Sequence, residues 1–294
     1  MHSASRPSTN HEQVVEEHDQ FDALPIPNGG DAPSVLAAAS RAMVRGHRAA
    51  MATVAKRHGS TPATVGQKLL LTETGECVGT VGGGALERRI LNALVARVAQ
   101  PSCGAAETVA YKLGASLGMC CGGTVDVVME SLVPLTPVLL LGAGHIGMAV
   151  TPLLVDCGFA VTIADEREEF FERASKQLAI FGDRVRCVED DAAHAANDVP
   201  RRGAVIAMTH DHQLDQRVVE FALQEKFAFV GGVGSRAKAA RLRTRLVQKG
   251  FGADDLERVR MPVGADIGAR SPHEIAVAIV AELIAWRSSS TELD

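Results

Sequence analysis

The sequence predicts an α/β chain in two parts, an N-terminal α+β domain followed by a doubly wound parallel-sheet domain. Three observations carry this. From residue 138 onward, short apolar runs at 138–141, 161–164, 185–188, 204–208 and 228–230 alternate with helical patterns, as in a parallel sheet covered on both faces. Before residue 131 the apolar runs lie closer together and are joined by turn residues, with helical patterns at only two places. Between the two parts, residues 131–137 contain Pro134 and Pro137, which fit neither a helix interior nor a central strand. The 294 residues suit about two domains of roughly 150. The expected division is a mobile tail over 1–33, an α+β domain over 34–131 and a parallel-sheet domain over 137–290.

Taken in order, residues 1–33 are rich in Ser, Pro, Asn, His, Asp and Glu and are expected to carry no chemistry. Pro33-Ser34 opens a helix with Val35, Leu36, Ala39 and Met43 at helical spacing. Strands are expected over 49–55, 68–72 and 77–81, with Glu73-Thr74-Gly75-Glu76 as a hairpin turn. A helix follows Gly82-Gly83-Gly84 and runs to about Ala99, placing Leu86, Ile90, Leu94 and Val98 on one face. Two further strands are expected over 108–113 and 124–129. The final helix begins at Ser271-Pro272-His273-Glu274, a capping box with Pro at the first helical position, and continues through Ile275, Ile279, Leu283 and Trp286.

Composition excludes several classes of function. Hydrophobic residues make up 46% and charged residues 22%, too apolar for a disordered chain. With 30 basic and 35 acidic residues the net charge is −5, so no strong counterion-releasing basic face is implied. Aromatic residues are only 4%, which removes support for base stacking, and the core must be built from Ala, Val, Leu and Ile. No apolar run approaches the ~18 residues of a membrane span, and residues 1–20 have no apolar signal core. Six cysteines without a CxxC pair do not make a disulfide scaffold. The expectation is a cytoplasmic protein with neither nucleic acid nor membrane as partner. The composition marks no interface patch, so a homodimer is only a default.

Four motifs and a cysteine pair carry chemistry. Gly142-Ala143-Gly144-His145-Ile146-Gly147 follows an apolar strand and opens a helix, and Asp165 ends the next strand 18 residues after Gly147. This is a Rossmann-like fingerprint: Gly142 makes the turn, Gly144 admits a pyrophosphate, Gly147 allows close packing, and Asp165 is placed to accept from a ribose 2′-OH. Thr209-His210-Asp211-His212 offers two histidines to a metal or, more simply, forms a polar loop. Gly231-Gly232-Val233-Gly234-Ser235-Arg236 is a second glycine-rich turn, before a helix with Lys238, Arg241, Arg243 and Arg245; it reads as an anion site or a solvated face. The triple glycine Gly82-Gly83-Gly84 suits close approach of a phosphate or flat heterocycle, although Glu87 in the first helical turn disfavours an anion. Finally, Cys120-Cys121 sits among Gly118, Gly122 and Gly123, where a thiolate suits a soft metal or sulfur transfer, the alternative being small buried hydrophobes.

These residues resemble a known family. Gly59-Ser60-Thr61-Pro62, Val65-Gly66-Gln67-Lys68, Gly79-Thr80-Val81-Gly82-Gly83-Gly84 and Cys120-Cys121-Gly122-Gly123 look like the N-terminal domain of XdhC/CoxI proteins. The fingerprint at 142–147, Thr209-His210-Asp211, Gly234-Ser235-Arg236 and Asp266-Ile267-Gly268-Ala269-Arg270-Ser271-Pro272 look like their Rossmann domain. The resemblance covers roughly residues 34–287. It departs at Gly231-Gly232-Val233, where bulkier apolar residues are expected.

The resemblance implies an accessory protein without turnover of its own. Such a protein binds the molybdenum cofactor, protects it during sulfuration and delivers it to xanthine dehydrogenase or a related molybdenum hydroxylase. It implies the hydroxylase large subunit and a cysteine desulfurase as partners, and a cargo that is plain molybdopterin or its cytosine dinucleotide. Cys120 and Cys121 are then the ligands for molybdenum, one or both acting. Gln67, Gly82, Gly83 and Gly84 line the pterin or phosphate, and Gly142, Gly144, Gly147 and Asp165 hold a nucleotide. The rival reading is an NAD(P)-dependent oxidoreductase built on the fingerprint, for which no proton-transfer residue stands out; a purely structural hydroxylase subunit is a third.

Overall fold

A computed structural model describes residues 24–99, 106–114 and 122–291. It contains two sheets. The first is antiparallel, ordered β3-β2-β1-β5-β4, from β1 (Ala49–His58), β2 (Lys68–Thr72), β3 (Cys77–Gly79), β4 (Ala106–Lys112) and β5 (Thr124–Leu132). Helices α1 (Ala32–Val44) and α2 (Gly84–Ala99) cover its two faces. Alternation of side chains along a strand explains why apolar runs such as Lys68-Leu-Leu-Leu-Thr72 are continuous. Leu70, with Ala49 and Met51, meets Val35, Ala38, Ala39 and Ala42 of α1. Leu69 and Leu71, with Ala50, Ala52 and Val54, meet Leu86, Ile90, Leu91 and Leu94 of α2. Strand β2, buried on both sides, has no polar face to alternate.

The second sheet is parallel and ordered β11-β10-β9-β6-β7-β8. Its strands are β6 (Thr136–Leu141), β7 (Phe159–Ala164), β8 (Val185–Val188), β9 (Ala204–Ala207), β10 (Phe229–Gly232) and β11 (Val259–Arg260). Helices α3 (His145–Asp156), α4 (Glu168–Leu178) and α9 (Pro272–Thr291) pack on one face; α5 (Ala192–Ala195), α6 (His212–Gln224) and α7 (Arg236–Gln248) pack on the other, with α8 (Ala253–Glu257) leading into β11. The order reverses between β6 and β9, so the ligand crevice of this doubly wound sheet lies there, beyond the strands' C-terminal ends. The expected α+β domain followed by a Rossmann-like sheet is the fold observed. The capping box of α9 also forms, with Glu274 Oε2 accepting from the Ser271 N–H at 2.9 Å.

Several expectations change. Leu36 is 51% exposed, because α1 packs through the small residues Ala38 and Ala42, which bring it close to the sheet. Pro137 does lie in a central strand, but at its start: it faces Ala160 of β7, and pairing with β9 begins only at Val138. Residues 28–33 are not tail. Gly29 bridges Gly79 on the sheet edge, and the Asp31 carboxylate caps α1 by accepting from the Ser34 N–H at 3.0 Å. The remaining tail, 1–23, lies outside the described residues. The family departure at Gly231 has a packing cause, since a Cβ there would lie 2.6 Å from Ile206 Cδ1 and 2.9 Å from Val263 Cγ2. Among the described residues no helix is long and apolar enough to cross a membrane.

The hairpin end of the first sheet meets the N-terminal edge of the second. Arg202, just before β9, donates to both Glu73 oxygens at 2.8 and 2.9 Å and also to the Gly46 carbonyl. Burial alone would raise the Glu73 carboxyl, but hydrogen bonds from His47, Arg202 and the Arg48 N–H outweigh it and hold it down at about 2. Strand direction then fixes where everything else lies. The opposite end of the first sheet and the C-terminal crevice of the second are each at the end remote from this contact.

Candidate functional site

At that remote end of the first sheet three segments meet: 59–67 between β1 and β2, 80–83 between β3 and α2, and the described ends, 113–114 and 122–123, of the connection between β4 and β5. Glycines make the contact possible. A Cβ on Gly123 would lie 2.5 Å from the His58 carbonyl and 2.6 Å from that of Ser60, and one on Gly82 would lie 3.0 Å from Ala63. The Leu113 N–H donates to the Gly123 carbonyl at 2.8 Å, closing the base of the third loop. The fold therefore gathers motifs spread over residues 59–123: Gly59-Ser-Thr-Pro62, Val65-Gly-Gln-Lys68, the triple glycine, and Gly122-Gly123. Cys120 and Cys121 themselves lie outside the described residues.

Within this cluster the predicted residues do different things. Gly82, Gly83 and Gly84 all adopt positive φ (114°, 75° and 64°), which accounts for three consecutive glycines better than packing does. Beside Gly83 and Gly84 there is open space, with no heavy atom within 4 Å of an added Cβ. Glu87 turns back on the loop, accepting from Thr80 Oγ1 at 2.6 Å and from the Val81 N–H at 3.1 Å. The negative charge that disfavours an anion is thus built into the loop. Gln67 Oε1 accepts from the Thr64 N–H at 2.7 Å, so this oxygen closes its own turn rather than facing a ligand. Cys77, nearby in β3, is a buried free thiol pushed up to about 11 by burial, with the Glu87 charge adding to it; it is a packing residue.

The crevice of the second sheet is built around Gly142, Gly144, Gly147 and Asp165. A Cβ on Gly147 would stand 2.1 Å from the Gly142 carbonyl oxygen, whereas one on Gly144 meets nothing within 4 Å. Gly147 serves helix–strand packing, and Gly144 leaves room for close approach to the start of α3. Asp165, the residue expected to meet a ribose, is 7% exposed. Its Oδ2 accepts from the Ala143 N–H at 2.8 Å and Arg167 Nη2 at 2.7 Å. Its Oδ1 accepts from the Arg167 N–H at 3.1 Å and Nε at 2.8 Å. A carboxylate has about four acceptor positions, and these four bonds fill them, leaving none for a ribose hydroxyl. Burial works to raise this carboxyl, yet the bonds from Arg167 and Ala143 hold it below the usual aspartate range.

Two arginines that sequence reasoning missed stand beside the glycine loop. Arg167 lies 3.6 Å and Arg173 4.7 Å from the Phe170 ring centroid. Arg173 also donates to the Ala143 carbonyl at 2.7 Å, and its buried Nε has no partner. Their spacing on a charged helix start gave no signal of it. A second missed feature is the ion pair of Asp215 with Lys238 at 2.7 Å, in which Asp215 also accepts from the Thr209 N–H at 2.9 Å and Oγ1 at 2.7 Å. A signal existed here: Asp215 shares the buried face of α6 with Val218, Val219 and Ala222. Lys238 is therefore engaged internally, while Arg243 and Arg245 bond to backbone carbonyls and Gln216. In the Thr209–His212 loop, Asp211 caps α6. Among the described residues the one group with metal-ligand spacing is Asp190, Asp191 and His194, all exposed, and neither His210 nor His212 belongs to it.

Comparison with known proteins matches both halves. The XdhC and CoxI family model matches residues 42–111, and the XdhC Rossmann domain model matches residues 138–283. The chain is 27% identical over 245 residues to the uncharacterized protein YqeB of Escherichia coli K12, covering 82% of this chain and 44% of that protein. It is 29% identical over 169 residues to a probable xanthine dehydrogenase component of Bacillus subtilis 168, covering 56% and 47%. It is 24% identical over 295 residues to the molybdenum cofactor insertion chaperone PaoD of Escherichia coli K12, covering 89% and 91%. The chain thus spans about half the length of the first two relatives. With the N-terminal loops and the parallel sheet each matched by its own model, the chain belongs to the XdhC and CoxI family and carries an XdhC Rossmann domain.

Proposed function

We propose that this chain binds the molybdenum cofactor as cargo, shields it while a sulfido ligand is installed, and hands it to xanthine dehydrogenase or a related molybdenum hydroxylase. The observation that carries the reading is the meeting of three loops at one end of the first sheet, with Gly122-Gly123 anchoring the segment that bears Cys120 and Cys121. One or both thiolates would hold the molybdenum, a soft-ligand role. The open backbone at Gly83 and Gly84 would lie along the flat pterin, with Gly82 fixing the loop against Ala63 and Gln67 holding the neighbouring turn. The chain acts in this reading as an accessory protein of the reducing cytoplasm, with the hydroxylase large subunit and a cysteine desulfurase as partners. A relative of nearly equal length is named as such an insertion chaperone, which supports the assignment.

The crevice at Gly142, Gly144 and Gly147 would serve an anionic group, with Arg173 as its cation and Asp165 acting through Ala143 and Arg167. One observation favours the oxidoreductase alternative: His210 lines the same crevice as Gly142 and Thr209, which places a side chain able to carry a proton there.

The test is to incubate the protein anaerobically with freshly released cofactor, separate it by gel filtration, and assay the protein peak for pterin fluorescence and molybdenum. Near-stoichiometric recovery of both is expected, and a Cys120→Ala/Cys121→Ala variant with an unchanged melting curve should lose them. No recovery by the native chain overturns the reading, and NADH binding with turnover of a small carbonyl would replace it.

A further inference from the structure

A cavity of about 310 Å³ lies between the two sheets, where α1 and the 73–76 hairpin face the strand starts of the parallel sheet. It is at the N-terminal edge of those strands, the opposite edge from the glycine-loop crevice. Its volume is at the lower end for small-molecule sites, which also favour domain interfaces. Arg41 and Arg45 enter its wall from the end of α1, Arg184 from the segment leading into β8, and Arg186 from β8 itself.

Two of the four guanidinium groups are matched. Arg41 pairs with Glu76 at 3.1 Å, and Arg186 pairs with Asp198. Arg45 and Arg184 have no carboxylate within ion-pair distance among the described residues. Arg184 donates to the Val155 carbonyl, and its Nε is buried without a hydrogen-bond partner. The remaining lining carboxylate, Asp183, is exposed, so four guanidinium groups face three carboxylates. Arg45 is exposed to solvent, whereas Arg184 is half-buried; arginine keeps its charge at any biological pH, so Arg184 cannot relieve its partial desolvation by losing a proton, and an anion in the cleft would relieve it.

We infer that this cleft is a binding site for a small phosphorylated molecule, held by Arg45 and Arg184 and flanked by Arg41 and Arg186. A phosphate group has several terminal oxygens and accepts from more than one guanidinium fork at once. Such a ligand joins α1 of the first domain to the β8 side of the second, alongside the Arg202–Glu73 contact. It braces the two domains against each other. The inference is independent of the cofactor reading, because the cleft shares no residue with either glycine loop.

The test uses the full chain with inorganic pyrophosphate as the probe, in titration calorimetry and thermal unfolding. The expected result is saturable binding that weakens with salt and raises the melting temperature. Arg45→Glu should weaken it about ten-fold or more, the worth of one charge-assisted contact, without lowering the melting temperature of the ligand-free chain. Arg184→Gln is the second variant, and Arg173→Gln, in the other crevice, should leave this binding in place. No binding, binding that survives both Arg45→Glu and Arg184→Gln, or binding lost only in Arg173→Gln overturns the inference. Cofactor retention measured on Arg45→Glu should be unchanged, which separates this result from the fate of the chaperone reading.

Discussion

The two glycine loops of this molecule are built alike and surrounded differently. In each, a strand ends in glycines, a helix begins, and a carboxylate reaches back to take a loop N–H: Glu87 from Val81 at 3.1 Å, and Asp165 from Ala143 at 2.8 Å. In the Rossmann domain that carboxylate is neutralised by Arg167, and Arg173 adds a second guanidinium beside the loop. In the N-terminal domain Glu87 has no salt-bridge partner among the described residues, and the space lies beside Gly83 and Gly84. A glycine-rich strand-to-helix turn is therefore not in itself a phosphate site. The charges that surround it decide: two guanidinium groups stand beside the second loop, and a carboxylate with no ion-pair partner among the described residues stands beside the first.

Filling the glycines of the Rossmann loop is the most severe trial of this contrast. Gly147→Ala puts a Cβ onto the Gly142 carbonyl and should cost about 3 kcal/mol, seen as a large fall in denaturation midpoint. Gly144→Ala meets nothing and should leave stability within about 0.5 kcal/mol, while weakening any phosphate ligand of the crevice. Equal losses of stability in the two variants would mean that the loop is only a packing device.

Asp165→Asn tests the neutralising clasp and should cost about 2 kcal/mol, less than a fully buried pair because Arg167 is partly exposed. Its pH dependence has a definite sign. The Asp165 carboxyl is held below its ordinary value in the folded chain, so its stabilisation is complete above the unfolded value and is lost as pH falls through the folded one. The variant should flatten that acid limb of stability. An unchanged limb would assign it to other carboxylates.

A milder change belongs to the contact between the sheets, away from both loops. Glu73→Gln should cost about 1 kcal/mol, since the ion pair with Arg202 is partly solvated. The lost stability should lie above pH 4.5 in the native chain and disappear between there and about 2. If the substitution lowers the N-terminal and Rossmann melting transitions together, the two domains are coupled through this contact. A shift in one alone would make it local.

How much of this was legible depended on the range of the physics involved. Local rules were enough for Ser271-Pro272-His273-Glu274 as a helix start, for the hairpin at Glu73–Glu76 and for the triple glycine as a special backbone. Each depends on residues within one turn. Leu36 misleads because helical spacing defines an apolar stripe but not its exact centre, and close packing on the sheet selects Ala38 and Ala42 instead. Asp165 stands out in the sequence as a residue but not in its role, because its partners are set by tertiary geometry: Ala143 is 22 positions away and Arg167 must curl back onto it.

The order of elements, the parallel character of the second sheet and the glycines on which the loops turn are all written in the chain, because periodicity and backbone permissiveness are properties of neighbouring residues. Folding in three dimensions was needed to fix which loops share an end of a sheet, that the two glycine loops lie at ends remote from the domain contact, and which arginines surround the cleft between the sheets. Those facts follow from strand direction and long-range packing, in which residues such as Glu73 and Arg202, 129 positions apart, come within hydrogen-bonding distance.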